Sequence, residues 1–293
     1  MCGISGIISP EGLKQDYEKE LRAALYELRF RGPDHQEFFQ NSTIAIAHSR
    51  LSIIDTSSNG NQPFFSADRQ QVIVLNGELF NYRELRSELE KEGCVFLTQS
   101  DTEVMLQGFH RYKEKFLHKI HGFFAFHFSD LNTNEHWLVR DRFGEKPIYW
   151  SYKENTCFYA SDFQSILAFP IEKTIHQQAL HHYLHLSYIP APYTILNEVH
   201  KLQPGELLYL SKQGIKNTNW YTLKGDVNSD EVQLKNALQE AVKWRMVADV
   251  PLGSFLSGGL DSAIVSALAC QLKPQLHTYS ISFPKQAYFD ESR

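Results

Sequence analysis

The chain has 293 residues, of which 42% are hydrophobic and 22% are charged. This composition predicts packed cores instead of disorder, and the length favours two domains over one. The formal net charge is -5 and no basic run occurs, so neither a nucleic acid nor a membrane surface is expected as a partner.

The cysteines stand far apart, at positions 2, 94, 157 and 270, and form no CxxC pair. This spacing suggests neither a zinc site nor a disulfide framework, and it fits a reducing compartment. The amino-terminal run lacks the charged region of a signal peptide, and no apolar stretch approaches the roughly 18 residues of a membrane span. We therefore expect a cytoplasmic protein that acts on small solutes.

In chain order, a buried strand is predicted at residues 2–9 because small and β-branched apolar residues follow one another there. An amphipathic helix follows within residues 16–32, with an apolar stripe made of Tyr17, Leu21, Ala24, Leu25 and Leu28. Between residues 43 and 149 short strands alternate with two predicted helices, at 82–93 and 101–120. Many strands and few helices favour sheets packed together with helices outside.

The strand pattern continues to residue 210, with another helix predicted at 176–186. Residues 211–230 are polar and predict a linker. Beyond it, a helix at 232–249 precedes a buried strand at 250–256, a helix at 261–272 and a strand at 277–283, typical of a parallel α/β domain. Roughly 60 residues cannot build a doubly wound sheet, so we expect this second domain to be incomplete.

Cys2 is the first residue that suggests chemistry. If Met1 is removed, its thiol shares one residue with a free α-amino group, whose reference pKa of roughly 7.7 to 8.0 suits a general base. One residue would then supply both the nucleophile and the base. Taken alone, Cys2 would be interpreted as a small buried side chain in the first strand.

Polar segments interrupt the apolar strands at RGPD (31–34), HSRLSII (48–54), NGELFN (76–81) and SDTE (100–103). With Cys2 and the runs RDRFGEKPIYW, FYASD, VHKLQPGE, PLGSFLSGGLDS and FDES, they resemble the class II glutamine amidotransferases and, among these, the glutamine-hydrolysing asparagine synthetases. The resemblance extends over essentially the whole chain. It implies an α+β N-terminal-nucleophile hydrolase sandwich with αββα layers over residues 2–210. After the linker at 211–230, it implies the beginning of an ATP-pyrophosphatase synthetase domain over 231–293.

The resemblance implies that the NGE segment is a turn that binds the substrate and its oxyanion. The chemistry agrees, because the Asn76 amide and the backbone N–H of Gly77 are two donors that could stabilise a tetrahedral oxyanion beside Cys2. Without Cys2, Asn-Gly would be an ordinary hairpin turn. Arg31 and Asp34 are interpreted as structural or gating residues.

Glutamine is a zwitterion and needs both signs of charge around its backbone end. The resemblance implies that Arg50 pairs in a bidentate manner with the α-carboxylate, while Glu78 and Asp101 hold the α-ammonium. Backbone groups of Leu51 and Ile53 are implied to complete the pocket. From the sequence alone, Arg50 would equally suit a surface salt bridge.

The segment SFLSGGLDSA lies between a predicted strand and a predicted helix, where glycine N–H groups and a helix amino terminus can bind a phosphate. No lysine follows the second glycine, so it is not a Walker A loop. It resembles the pyrophosphate loop of ATP pyrophosphatases, although Ala263 stands where a second serine is common. The implied ATP site comprises Leu256, Ser257, Gly258, Gly259, Asp261, Ser262 and Ile281. The serines and glycines would hold the pyrophosphate, Asp261 would position magnesium, and the other two would contact adenosine. A lone SGG is usually a flexible turn.

These expectations describe a two-step enzyme with glutamine, aspartate and ATP as substrates and Mg²⁺ as a cofactor; a homodimer is compatible with the resemblance. Cys2 would release ammonia from glutamine, and the ammonia would convert β-aspartyl-AMP into asparagine. One alternative acceptor is a sugar acid or peptide carboxylate, and another alternative is a non-catalytic domain that kept the fold. From these 293 residues alone we expect glutamine hydrolysis without asparagine synthesis.

Overall fold

The computed structural model describes residues 1–225 and 230–283. The chain divides into two compact units, Met1–Leu223 and a second unit that begins at Lys224. Within the described residues, no helix is both long and apolar enough to cross a bilayer.

The first unit is built from two antiparallel sheets. In chain order its strands are β1 (Gly3–Ile8), β2 (His35–Gln40), β3 (Ile44–Arg50), β4 (Phe64–Phe65), β5 (Gln71–Leu79), β6 (Gly122–Asp130), β7 (Glu135–Arg140), β8 (Tyr149–Lys153), β9 (Thr156–Ala160), β10 (His200–Lys201), β11 (Glu206–Ser211) and β12 (Gly214–Asn219). The strand order is β10-β8-β9-β1-β3-β2 in one sheet and β12-β11-β7-β6-β5-β4 in the other. The helices are α1 (Glu18–Leu28), α2 (Tyr82–Lys91), α3 (Asp101–Tyr112), α4 (Glu114–Leu117), α5 (Phe163–Ile166) and α6 (Gln177–Leu186).

The core between the two sheets follows from the alternation of side chains along each strand. Inward-facing apolar residues of both sheets form one buried cluster, which includes Ile4, Ile8, Ile44, Ile46, Val72, Val74, Ala125, Leu138, Tyr159 and Leu208. One hydrogen bond crosses this core, between His127 Nδ1 of β6 and the Tyr159 hydroxyl of β9, which are 2.8 Å apart. The two sheets are therefore joined by apolar packing and by a fully buried polar pair.

Helices cover the outer faces. The predicted stripe of α1 is buried and packs with Ala45 and Ala47 on the outer side of β3. On the second sheet, Phe109 of α3 packs edge-on against Phe126 of β6 at 5.1 Å between ring centroids. The layers are thus helix, sheet, sheet and helix, which confirms the predicted αββα sandwich.

The structure differs from the predicted linker and from one predicted helix of the first unit. Part of the predicted linker, residues 214–219, forms β12, which pairs with β11 at the edge of the second sheet. An edge strand with one solvated face tolerates polar residues, so its composition resembled that of a linker. The predicted helix at 101–120 is divided into α3 and α4 at Lys113, whose φ of 50° interrupts the helix.

In the second unit, α7 (Glu231–Trp244), β13 (Gly253–Phe255), α8 (Leu260–Leu272) and β14 (His277–Tyr279) follow in order. The strands pair in parallel with Phe255 opposite Tyr279, so the predicted strand, helix, strand unit is present. The prediction that residues 250–256 form a buried strand is wrong, because Phe255 is 75% exposed. Among the described residues β13 has one neighbouring strand, whereas buried parallel strands are normally covered on both faces.

Candidate active site

One pocket of the first unit brings together every residue that was predicted to act on glutamine. Its walls include Cys2, Arg50, Leu51, Ile53, Asn76, Gly77, Glu78 and Asp101. The remaining lining residues are Met1, Ile54, Gly60, Gln62, Ser100, Thr102, Phe123 and Lys146. Residues from β3 and the loop after it, from β5 and from the first turn of α3 thus converge on the nucleophile, which directly precedes β1.

Cys2 lies directly before β1, so the first strand of the fold fixes its position. The Leu51 N–H donates to its sulfur at 3.4 Å, and the thiol donates to the Leu51 carbonyl oxygen at 3.5 Å. Arg31 Nε donates to the Cys2 carbonyl oxygen at 3.1 Å, which supports the structural interpretation of Arg31. Burial raises the pKa of the Cys2 thiol, while the Leu51 N–H opposes this. The thiol therefore needs a base to become nucleophilic near neutral pH.

Asn76 and Gly77 do not form a turn, contrary to the prediction. They lie inside β5, where Asn76 pairs with Ala125 and Gly77 with Phe124 of β6. The long ladder with β6 outweighs the local preference of Asn-Gly for turns. A Cβ atom at residue 77 would overlap the backbone oxygen of Phe123, so only glycine fits this close approach.

The side-chain amide of Asn76 is buried in the pocket wall and has no hydrogen-bond partner for either polar atom within the described chain. Leaving such an amide unpaired costs about 1–3 kcal/mol, so it is poised for an oxygen that the protein itself does not supply. Both backbone polar groups of the preceding residue are bonded: the Leu75 N–H donates to Gln62 Oε1 at 2.6 Å, and its carbonyl oxygen lies 3.1 Å from His48 Nε2. The backbone that carries the Asn76 amide is therefore fixed before any ligand arrives.

Two carboxyl groups, Glu78 and Asp101, line the same pocket. Asp101 begins α3, and its Oδ2 accepts the Leu79 N–H at 2.9 Å. Burial raises the pKa of Asp101 to about 7, with a smaller contribution from Glu78, whereas the Leu79 N–H opposes this. Burial also raises the pKa of Glu78. An ammonium group placed between them would stabilise both ionised carboxylates.

Arg50 is buried, with 4% of its surface exposed, so it is not a surface salt-bridge residue. Its Nη1 donates to the Ser57 carbonyl oxygen at 2.7 Å and to Asn61 Oδ1 at 2.8 Å, and its Nη2 donates to the carbonyl oxygens of Ile54 and Asp55. The loop after β3 is thus wrapped around the guanidinium. A bidentate grip on a carboxylate by both terminal nitrogens would require these bonds to exchange, but the positive charge already lies in the pocket wall.

Lys146 also lines this pocket, and the sequence analysis did not identify it. Its Nζ lies 3.8 Å from the centroid of the Phe123 ring, and 8% of the residue is exposed. The signal in the sequence is its place in the run RDRFGEKPIYW, one of the segments that resemble the family. A lysine before proline otherwise looks like a surface turn residue.

In the second unit, the predicted phosphate loop joins β13 to α8. The hydroxyl oxygens of Ser257 and Ser262 are 3.1 Å apart, and the Ser262 hydroxyl donates to the Gly259 carbonyl oxygen at 2.9 Å. Gly258 has a φ of 91°, which favours glycine. Gly259 caps α8 without a side-chain hydrogen bond, which leaves the first N–H groups of the helix open to an anion. These open N–H groups are donors of the kind that could bind a phosphate.

The other predicted nucleotide residues flank this loop. Leu256 follows β13, and its N–H donates to the Tyr279 carbonyl oxygen at 2.8 Å. Ile281 lies two residues beyond β14 and is exposed, and Asp261 is exposed in the first turn of α8. Over residues 1–225 and 230–283, no group of three His, Cys, Asp or Glu could hold a metal ion by itself. Asp261 fits Mg²⁺ in the manner of a single carboxylate that acts with phosphates and water. The FDES segment lies outside the described residues.

Comparisons with known proteins agree with this arrangement. The chain matches the glutamine amidotransferase domain family over residues 1–221 and the asparagine synthase family over residues 233–293. It is 33% identical over 296 residues to asparagine synthetase [glutamine-hydrolyzing] 1 of Bacillus subtilis, covering 98% of this chain and 47% of that protein. It is 32% identical over 300 residues to the amidase chyE of Penicillium rubens, covering 94% of this chain and 43% of that protein. The chain thus spans about half the length of these curated relatives.

A solved structure of glutamine phosphoribosylpyrophosphate amidotransferase from B. subtilis superposes with a TM-score of 0.54 at 18% identity, covering 97% of this chain and 67% of that one. This likeness concerns the fold. The family match over residues 1–221 extends across the pocket around Cys2, and the asparagine synthase match extends across the loop at 257–262. The chain therefore belongs to the glutamine amidotransferase family, with an asparagine synthase segment following its amidotransferase domain.

Proposed function

We propose that this protein hydrolyses glutamine at Cys2 and supplies the ammonia for ATP-dependent synthesis of asparagine. The observation that carries the first half is the unpaired, buried amide of Asn76, which faces the same pocket as the Cys2 thiol. A buried amide is left without a partner where a ligand oxygen satisfies it. The adjoining Gly77 N–H makes a pair of donors suited to an oxyanion.

Glutamine fits the charges of the pocket. Its α-ammonium would lie between Glu78 and Asp101, whose burial makes a cation favourable there. Its α-carboxylate would be attracted by the positive charge of Arg50. The side-chain amide would then extend toward Cys2 and Asn76, which brings the carbonyl oxygen to the donors of β5.

The chemistry follows from these positions. The thiol proton passes to the α-amine of Cys2, exposed once Met1 has been removed, and Sγ bonds to the amide carbon. Asn76 and Gly77 donate to the resulting oxyanion. The carbon–nitrogen bond then breaks, and the leaving nitrogen takes the proton from the amine and departs as ammonia. Water hydrolyses the thioester to glutamate and restores the thiol.

The second half is supported by the asparagine synthase match, by relatives named asparagine synthetase and by the loop at 257–262. ATP would activate the acceptor carboxylate as an acyl-adenylate and release pyrophosphate. Ser257, Gly258, Gly259 and Ser262 would bind the pyrophosphate, Asp261 would hold Mg²⁺, and backbone groups of Leu256 and Ile281 would contact adenosine. We propose aspartate as the acceptor, and the free cysteines support a cytoplasmic setting. One relative is named an amidase and not an asparagine synthetase. The alternative acceptor is therefore a sugar acid or a peptide carboxylate.

The test of the first half is glutamate release from glutamine. The purified chain should produce glutamate, the variant Cys2→Ala should produce none, and Cys94→Ser should match the wild type because Cys94 lies outside the pocket. Equal glutamate release by Cys2→Ala and wild type would contradict the proposal. Absence of release by a wild-type chain that has lost Met1 would favour the non-catalytic alternative.

The test of the second half adds ATP, Mg²⁺ and aspartate and measures asparagine, AMP and pyrophosphate. We propose that these 293 residues release glutamate but form no asparagine, since the second unit has one pair of three-residue strands among its described residues. Asparagine formation would contradict that restriction. With the full coding sequence, AMP formation should require aspartate, and a requirement for another carboxylic acid would favour the alternative acceptor.

A further inference from the structure

Lys146 is a buried cation without a conventional partner. Its ammonium group makes no hydrogen bond and no ion pair with the residues that the structure describes, and it lies against the face of Phe123. Burying an ammonium group is unfavourable unless an opposite charge or hydrogen bonds compensate it. The glutaminase steps proposed for Cys2, Asn76 and Gly77 assign no role to this charge.

The backbone around Lys146 holds the side chain in this position. Asp141 accepts the N–H groups of Phe143, Glu145 and Lys146, each at 3.0 Å. Arg140 Nε donates to the Lys146 carbonyl oxygen at 2.8 Å. The turn after β7 is thus closed on itself by its own polar groups, and it directs the lysine side chain into the pocket of Cys2.

Met1, Cys2 and Lys146 line the same pocket, and the amino-terminal amine of the full chain is that of Met1. Burial lowers the pKa of the Met1 amine; Lys146 and Arg31 lower it further, while Cys2 and Glu78 raise it. Loss of Met1 leaves the Cys2 amine in this same pocket, where we expect the same charges to act on it. Burial also lowers the pKa of Lys146, and Glu78 is the main group that keeps this lysine charged. Arg50 and Asp101 line the same pocket and act on the Cys2 thiol.

Lys146 and Cys2 line one pocket. We infer that Lys146 is a positioning residue of the glutaminase: its charge keeps the Cys2 α-amine, exposed by loss of Met1, neutral and so able to accept the thiol proton. This inference rests on the proposed glutaminase. A protonated amine cannot accept a proton, so activity is lost as the pH falls through the pKa of the amine. Removing the cation raises that pKa, and the acid side of the pH profile then moves to higher pH.

Two measurements test the inference on Lys146→Met, Lys146→Gln and Lys146→Arg. The first is kcat/KM for glutamine between roughly pH 5.5 and pH 9, a range that brackets the reference pKa of an α-amine. In the neutral variants the acid limb of the kcat/KM profile should move to higher pH by about one unit. At a pH on that limb kcat/KM should be roughly tenfold lower than in the wild type, and at high pH it should be near wild type. Lys146→Arg should keep the wild-type profile. A merely structural role would lower kcat/KM by the same factor at every pH.

The second measurement is the pH dependence of amine carbamylation by cyanate, read by mass spectrometry of the amino-terminal peptide. Cyanate reacts with the neutral amine, so this measurement needs no glutaminase activity, and the peptide mass also reports whether Met1 is present. Lys201→Met is the matched control, because it removes another partly buried ammonium, one that donates to the Ile189 carbonyl oxygen outside the pocket. It should shift neither profile.

An unchanged carbamylation profile in a folded neutral variant would overturn the inference. A shifted carbamylation profile in a protein without glutaminase activity would support the electrostatic effect of Lys146 and contradict the proposed glutaminase. If Lys146→Met fails to fold, the Lys146→Gln and Lys146→Arg pair decides between charge and packing.

Discussion

Replacing Asn76 with alanine removes the donor that we assign to the oxyanion, but it breaks no hydrogen bond within the described protein. Loss of one such donor typically lowers kcat by about 100-fold to 1,000-fold, or about 2.7–4 kcal/mol of transition-state stabilisation. The wild type already bears about 1–3 kcal/mol for the unpaired amide, and its removal offsets the cavity left by the smaller side chain. We therefore expect a large loss of activity with little loss of stability.

Asn81 provides the opposite case. Its Nδ2 donates to the Lys119 carbonyl oxygen and its Oδ1 accepts the His121 N–H, both at 2.9 Å, and it lies outside the pocket. Asn81→Ala should lower the free energy of unfolding by roughly 1–3 kcal/mol, because it leaves backbone groups without partners. Its kcat should stay close to wild type.

The assay pairs glutamate release with urea unfolding for the two variants. We expect the two effects to separate. Asn76→Ala should lose kcat and keep its unfolding midpoint, whereas Asn81→Ala should keep kcat and unfold at a lower urea concentration. If Asn76→Ala retained kcat, the oxyanion assignment would be refuted. A loss of several kcal/mol of stability in Asn76→Ala would show that the amide has a structural partner.

Two further predictions concern the same wall of the pocket. Gly77→Ala should destabilise the fold by about 1–3 kcal/mol, because its Cβ overlaps the Phe123 backbone oxygen. Gly225→Ala is the control, because its Cβ meets open space and should leave stability unchanged. Equal melting temperatures of the two variants would contradict this prediction. Asp101→Asn should be more stable than wild type above pH 7, since the raised pKa of about 7 means that ionised Asp101 destabilises the folded state there. That difference should disappear as the pH falls toward 4, and the KM for glutamine should rise in the variant at pH 8; a stability difference independent of pH would count against the buried charge.

Much of the sandwich was predictable from periodicity. The predicted stripe of α1 and the predicted buried strand at 2–9 both lie in the core of the structure. Sheet order was not predictable in this way, because the pairing of β1 with β9 joins residues about 150 positions apart and no local signal encodes it. The polar composition of β12 concealed a strand for the related reason that an edge strand buries only one face.

The pocket was predicted through the resemblance, and its residues do converge, but two details required the tertiary structure. The Asn76–Gly77 pair has a strong local preference for a turn, which the ladder with β6 overrides. Lys146 is buried only because the turn closed by Asp141 directs it inward, and hydrophobicity alone assigns lysine to the surface. Both differences lie where the fold imposes an arrangement that its local sequence does not favour, as expected at functional sites.

The position of Asn76 within β5 has a consequence for how the enzyme would fail on heating. β5 is bonded to β6 from Gln71 to Leu79, and the amides in the middle of such a ladder exchange with solvent only through large openings of the sheet. The amides bonded in the β5–β6 ladder should therefore exchange slowly, and the ladder should stay intact until the cooperative transition. Because this ladder carries the proposed oxyanion donors, activity and native structure should disappear at the same temperature.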